Sequence, residues 1–444
     1  MAIRADACVA PATNRGRRNF LRSTTASAAA LLLAPLRPLM DRTAYGGESD
    51  DDARRARIEG LLVGSLIGDA AGGPLEFKTR QELAEFDTPL KVWADDERLT
   101  PELLHQHGAA FRLLPYDELR PDPAPYGQWT ERAPAGTLTD DTRMKIFVVR
   151  AIRRAYDEGR SVTARDVASE LIAFGQDTRL LARPGYAKLC GEWLEQWSPA
   201  AHWLLGEREP GKAFPPERLW AGMGTVAGQM ALLPLAAAMP GDPQAAYESA
   251  YRVGFFDNGP AKDINSAIVA GLSAALAAKI DTGEESPPHG WQALERAVRD
   301  VDPYRYSSIP WVERPAVRWL DFALDAADRA DRCPARLFAI LENELGARTW
   351  WEAHATYASA FAIARLCDYH PLASLQLALE LGHDTDSTAQ LLGALVGAVY
   401  GAVAFPAEMR ELVTARLAAD YDEQLEDWVD LLMAVAGESS TSHD

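Results

Sequence analysis

Two sets of glycines constrain this chain more than any other feature of it. Gly60, Gly64, Gly68 and Gly72 form one set, and Gly393, Gly397 and Gly401 form the other, each at a spacing of four residues. Residues four apart lie on the same face of a helix. A glycine inside a helix costs roughly 1 kcal/mol relative to alanine. Close approach of two helix backbones is the usual compensation, and packing alone accounts for both ladders. The first segment carries Asp69 and the second opens directly after Asp384 and Asp386, so neither reads as a membrane span. If the ladders face each other antiparallel, the end of the first helix meets the start of the second. Acidic residues stand at both of those ends: Asp69 and Glu76 at one, Asp384 and Asp386 at the other.

The rest of the chain has the same character. Alanine is abundant, and runs of Val, Ile and Thr are scarce. Apolar residues recur at helical spacing from Arg54 to about Gly437. Helices are predicted over Ile58–Gly72, Asp141–Asp157, Ala164–Gly175, Gln244–Gly254, Asp263–Ile280, Glu313–Ala330, Ala335–Leu345, His354–Cys367, Pro371–Leu381 and Ser387–Ala404. Pro- and Gly-rich stretches at 121–136, 205–216, 239–243 and 284–290 read as surface loops. No further linker interrupts them, so one all-α domain is expected over 54–437, with a short disordered tail at 438–444. The apolar fraction of 48 % is ample for its core. A net charge of −19 repels nucleic-acid phosphates, and no basic stripe follows the N-terminus, so no nucleic-acid partner is expected. The cysteines, Cys8, Cys190, Cys333 and Cys367, are too scattered for a disulfide framework or a zinc motif. A monomer is expected.

The first 44 residues read as an address rather than as fold. Arg17-Arg18 followed by Phe20-Leu21 resembles a twin-arginine export signal, and a short apolar stretch runs from Ala26 to Leu36. That stretch is too short for a stable membrane anchor. The expectation is export to the periplasm or beyond, with the twin-arginine machinery as a transient partner and residues 45–53 as a flexible linker. That route moves folded proteins, so a metal can be loaded before export.

Three segments carry the chemistry. Gly136-Thr137-Leu138-Thr139-Asp140-Asp141-Thr142 precedes an apolar helix. One carboxylate there would serve as an ordinary cap; two in succession, flanked by threonines, exceed what capping needs. Carboxylate and hydroxyl oxygens are hard ligands that suit Mg²⁺ or Mn²⁺. Gly382-His383-Asp384-Thr385-Asp386-Ser387-Thr388 opens the helix with the second glycine ladder. Capping by Asp386 would leave Asp384 unexplained. In Gly68-Asp69-Ala70-Ala71-Gly72-Gly73-Pro74-Leu75-Glu76, Asp69 lies on a mostly apolar helix, which is costly unless its carboxylate is bonded. Glu76 follows a Gly-Gly-Pro turn and either points into a cleft or faces solvent. Taken together, two acidic, hydroxyl-rich motifs far apart in sequence suggest a binuclear site, with cations roughly 3.5–4 Å apart if they share a ligand. Asp386 is the candidate bridge, and no His/Cys set suits zinc.

At these motifs the chain resembles the ADP-ribosylglycohydrolases. The segment from Gly60 to Glu76 is similar to the family's opening, Thr139-Asp140-Asp141-Thr142 to its middle motif, and Gly382 to Ser387 with Gly393, Gly397 and Gly401 to its close. A weaker likeness lies in Gly222-Met223-Gly224-Thr225-Val226-Ala227-Gly228, which is similar to a segment that approaches the ligand. The resemblance implies a compact all-α fold with a binuclear Mg²⁺ or Mn²⁺ cleft. It implies Thr139, Asp140, Asp141, Asp384, Asp386 and Ser387 as metal ligands, and Glu76 as the catalytic acid or base. It also implies Gly222, Gly224, Thr225 and His383 near the substrate. Two metals would hold the ribose while Glu76 assists cleavage at the anomeric carbon.

The chain also departs from the family. His383 stands where glycine is common, Ser387 where threonine is common, and Gln229-Met230 where a Met-Arg pair is frequent. The segment Asp257–Asp263 lacks a common Thr-His pair, and the insert from 77 to 135 is long, with Trp93, Tyr126 and Trp129. The expected substrate is an ADP-ribosylated protein or small molecule. The alternatives are another ribose- or nucleotide-containing metabolite, or a non-catalytic ligand-binding relative. The twelve tryptophans, Trp193, Trp197, Trp203 and Trp220 among them, read as core rather than as stacking surfaces. His354 and His370 read as structural.

Overall fold

Three aspartates, Asp50 to Asp52, start the helix that carries the first ladder. Acidic side chains suit the positive end of a helix dipole, and α1 accordingly spans Asp50–Gly72 rather than beginning at Ile58. The computed structural model describes residues 50–85, 90–115, 134–182, 186–278 and 287–441. The export signal, most of the linker, Tyr126, Trp129 and the side chains of Cys190 and Trp193 lie outside the described residues. Arg55 on α1 reaches Glu426 at 3.7 Å and Asp430 at 2.6 Å on the last helix, Leu425–Thr441. That helix runs into the stretch expected as a tail. Residues 48–444 make up one compact unit.

The described residues are helical throughout apart from turns, loops and two isolated β-bridges, as the alanine-rich composition predicts. The site is built by α1 together with α2 (Asp140–Asp157), α3 (Tyr186–Leu205), α4 (Ala227–Ala231), α5 (Ala261–Leu276), α6 (Pro334–Glu344), α7 (Ala353–Leu366), α8 (Pro371–Leu381) and α9 (Thr385–Tyr400). The predicted helices are present with ends moved by a few residues. Tyr186–Leu205 forms despite Pro199 inside it, and Pro101–Ala110 sits within the long insert. No described helix is long and apolar enough to cross a membrane.

The two ladders face each other, and α1 and α9 run antiparallel through the centre of the core. A Cβ at Gly64 would lie 2.2 Å from the Gly393 carbonyl oxygen, and one at Gly397 only 1.9 Å from that of Gly60. Backbone therefore packs on backbone, and no side chain fits between. At the far end, a Cβ at Gly72 would fall 2.4 Å from the Asp386 Cα, and the Thr385 hydroxyl donates to the Gly72 carbonyl at 2.8 Å. The end of α1 thus seats the start of α9. Gly64→Ala is expected to force the helices apart and to lose about 3 kcal/mol, the upper range for overpacking. A urea midpoint unchanged from the parent would contradict this packing.

A buried polar network locks the neighbouring helices to this pair. Ser65 donates to Gln390 at 2.9 Å, and Gln390 donates to the Gln229 carbonyl at 3.1 Å. The Gln229 amide bonds Asn265 at 3.1 Å and the Ala353 carbonyl at 2.7 Å, while Thr356 donates to its oxygen at 2.7 Å. Gln229 therefore ties α1, α9, α5 and α7 together around α4. Hydrogen-bonded buried amides of this kind specify one arrangement of helices.

Candidate metal centre

Asp69 organises the first acidic motif from below. Its carboxylate accepts from the Thr139 backbone N–H at 3.1 Å and from the Thr139 hydroxyl at 2.6 Å, and it also accepts from the Thr142 hydroxyl. This explains how an aspartate sits fully buried on an apolar helix. The Thr139 hydroxyl in turn accepts from the Asp141 N–H at 3.2 Å and so caps α2. Capping is thus done by the Thr139 hydroxyl rather than by the carboxylate of Asp140 or Asp141. The second motif arrives on the seat made by Gly72. Carboxylate oxygens of Asp140, Asp141 and Asp386 then lie within 4.8 Å of one another.

The rest of the set gathers around these three. The Ser387 hydroxyl donates to Asp141 Oδ2 at 3.4 Å. Asp384, Glu76, Asp140, Asp141, Ser387 and Thr225 line one cavity of about 270 Å³. Trp197, Trp220, Trp351, Phe77 and Met230 line it as well. The cavity thus has an acidic part and an aromatic part. Trp220 meets Trp197 and Trp351 edge to face, at 5.7 Å and 5.1 Å between centroids. Trp197 is a core residue, as predicted, and also a cavity wall. Its partners come from separate elements, so no local sequence signal marks them. Trp203 instead lies under the Arg208 guanidinium.

Thr225 lines the cavity, whereas Gly222 and Gly224 are not among its lining residues. Trp220, Ala221 and Gly222 have consecutive positive φ angles of 50°, 56° and 81°. Gly224 is glycine because a Cβ would lie 2.7 Å from the Asn258 carbonyl oxygen. Asp257 accepts from the Gly228 N–H at 3.0 Å and from Asn265 at 2.9 Å. Asp257 therefore buttresses the end of the glycine-rich segment. Met230 faces the cavity, whereas Gln229 faces the network. His383 lies outside the cavity lining: its ring is stacked on Trp350 and its Nε2 is 3.2 Å from Glu342. His354 stacks on Trp319, and His370 caps α8, so both are structural. Cys333 and Cys367 are free, buried thiols.

A protein-family model described as ADP-ribosylglycohydrolase matches residues 50–441. The chain belongs to the ADP-ribosylglycohydrolase family. A solved structure described as an "ADP-ribosylglycohydrolase-related protein complex" is 17 % identical, over 87 % of this chain and 98 % of that chain, with a TM-score of 0.45. No match to a curated protein is found. Membership of this family supports hydrolase activity of the glycohydrolase type, and the family typically binds divalent metals.

The acidic cluster of this family member fits a cation. Asp141 is buried, and its Oδ1 has no hydrogen-bond partner. A buried carboxylate oxygen left unmatched is costly unless it meets a positive charge. All the donors are hard oxygens, which suits Mg²⁺ or Mn²⁺ better than softer metals. With no cation bound, burial and then the neighbouring Asp386 and Asp69 push Asp141 well above the usual carboxylate range. Burial and Asp386 do the same to Asp384. Burial raises Asp140 to about 7, against the opposing pull of Arg143. Lys145, which donates to the Asp141 carbonyl at 3.0 Å, is lowered by burial and held up by Asp141.

These shifts set a pH dependence. An aspartate whose folded pKa is raised binds its proton more tightly folded than unfolded. The stability this contributes is complete below about pH 4 and is lost as pH rises through the folded value, about 7 for Asp140. In EDTA the protein is therefore expected to melt at a higher temperature near pH 5 than near pH 8. Added Mn²⁺ should reverse the order, because ligation requires the deprotonated carboxylates. Equal melting temperatures at both pH values in EDTA would contradict the coupling.

Proposed function

We propose that this protein hydrolyses an ADP-ribosyl, or closely related ribosyl, glycosidic bond with two Mg²⁺ or Mn²⁺ ions. Thr139, Asp140, Asp141, Asp384, Asp386 and Ser387 would hold the ions. The observation that carries this reading is the convergence of both acidic motifs and Glu76 on one cavity that also has an aromatic wall. Bound there, the cations supply Lewis-acid polarisation of the ribose hydroxyls and neutralise the carboxylates. Glu76 follows the Gly73–Leu75 turn, is nearly buried and lines the same cavity. Its carboxylate takes a proton from the attacking water and returns it to the leaving group, as the anomeric carbon exchanges one bond for the other. Trp197, Trp220 and Trp351 present apolar surface to a planar part of the substrate and exclude water. The loop from Gly222 to Thr225 would shape the same wall.

The test is release of free ADP-ribose from ADP-ribosyl-arginine, ADP-ribosyl-serine and O-acetyl-ADP-ribose, with and without Mg²⁺ or Mn²⁺. Metal-dependent release from any of the three supports the reading. Protein that binds Mn²⁺ but releases nothing from any of them overturns the ADP-ribosyl assignment.

A further inference from the structure

The Glu76 turn and the Asp384 loop are clasped together one residue beyond each carboxylate. The Phe77 N–H donates to the His383 carbonyl at 2.5 Å, and the His383 N–H donates to the Lys78 carbonyl at 2.7 Å. The clasp is tight. A Cβ at Gly382 would lie 2.4 Å from the Lys78 carbonyl oxygen. It is also strained, because two non-glycine residues have left-handed backbones, Phe77 at φ 61° and His383 at φ 67°. A glycine would adopt the His383 conformation freely. The backbone therefore gives no reason for histidine, and strain of this kind persists only where the surroundings enforce it.

The side chain supplies the reason. The His383 ring lies within 9° of parallel to the Trp350 indole, with 3.9 Å between centroids. Its Nε2 is 3.2 Å from Glu342 Oε1, and the same carboxylate accepts from Arg80 Nε at 2.8 Å. Arg80 follows Glu76 along one half of the clasp, and His383 belongs to the other. Glu342 on α6 therefore grips both halves, although burial opposes its charge, and His383 with Arg80 holds its carboxyl down at about 2. We propose that His383 is a positioning residue, its imidazole a peg that fixes the Glu76 turn against the Asp384 loop. It acts through these neighbours and does not touch substrate. Its consequence for turnover rests on the glycohydrolase reading above, whereas the peg itself does not.

The test compares the full chain with His383→Gly, His383→Phe and Trp350→Ala. Amide hydrogen exchange at residues 76–78 reads the clasp, and steady-state kinetics read its use. His383→Gly is expected to speed exchange there by about tenfold while α1 and α9 stay protected. In the same variant kcat should fall by about tenfold with KM within about threefold, since a small misplacement of a reacting group lowers rate more than binding. His383→Phe keeps the stack but loses the contact with Glu342, so it should restore part of both. Trp350→Ala removes the stacking surface from outside the loop, so it should mimic His383→Gly, and the double variant should be no worse than either. Unchanged exchange at residues 76–78 in both His383→Gly and Trp350→Ala overturns the proposal. So does faster exchange with kcat unchanged. Faster exchange in a protein that turns over none of the three ADP-ribosyl substrates leaves the peg standing and rejects the functional reading instead.

Discussion

Asp386→Ala is expected to weaken Mn²⁺ binding by at least about a hundredfold and to reduce metal-dependent turnover to background. Loss of an outer partner of a metal site already costs about 10–100-fold, and Asp386 belongs to the carboxylate triad itself. The same substitution should have the opposite effect on the metal-free protein. Asp386 is the neighbouring charge that most raises both Asp141 and Asp384. Its removal lets the remaining carboxylates ionise with less repulsion, so the melting temperature in EDTA near pH 8 should rise. The gain on adding Mn²⁺, of about 2.7 kcal/mol at a hundredfold excess over Kd for an intact site, should vanish. Calorimetry with and without Mn²⁺ measures both effects. A variant that melts lower in EDTA and still gains with Mn²⁺ would show that Asp386 is structural.

Glu76→Ala separates the chemistry from the metals. Metal affinity should stay within about threefold of the parent, because the triad does not include Glu76. Turnover should fall by about 10²–10⁴-fold, the usual contribution of a general acid or base. The loss should appear in kcat, and KM should change little. Titration with Mn²⁺ followed by kinetics at saturating metal distinguishes the cases. A Glu76→Ala protein with parental kcat removes Glu76 from the reaction. One that no longer binds Mn²⁺ shifts it into the ligand set.

Much of the fold was legible because its strongest signal is a repulsive one. Glycines at four-residue spacing exclude side chains between two helices, and the contacts of Gly64 with Gly393 and of Gly60 with Gly397 follow directly. The same logic placed the start of α9 at the end of α1, and hence Asp386 on Gly72. The acid set was legible as residue types, since paired carboxylates with hydroxyls exceed what a cap requires. Asp69 was visible only as a problem, a buried charge in need of bonds. The structure shows it solved by Thr139 and Thr142.

What the sequence hid depends on contacts between distant elements. Trp197, Trp220 and Trp351 come from α3, a turn and the segment before α7, and nothing local says which indoles face a cavity. Gln229 reads in the sequence only as a departure from the Met-Arg pair, and it is a bolt between four helices. His383 looked like a substitution at the mouth of the site. Its ring in fact turns to Trp350 and Glu342, neither of which its own segment announces. The insert is held by a buried carboxylate: Glu380 accepts from the Lys91 N–H at 2.8 Å and from the Trp93 indole at 2.6 Å. Those residues lie far apart in the chain, so the anchoring carried no sequence signature.

Anomalous diffraction from a crystal of the protein grown with Mn²⁺ tests the central claim most directly. Two peaks roughly 3.5–4 Å apart, ringed by Asp140, Asp141, Asp384 and Asp386, are the predicted result. Manganese found elsewhere, with the Asp141 carboxylate left without a cation at saturating metal, would contradict it.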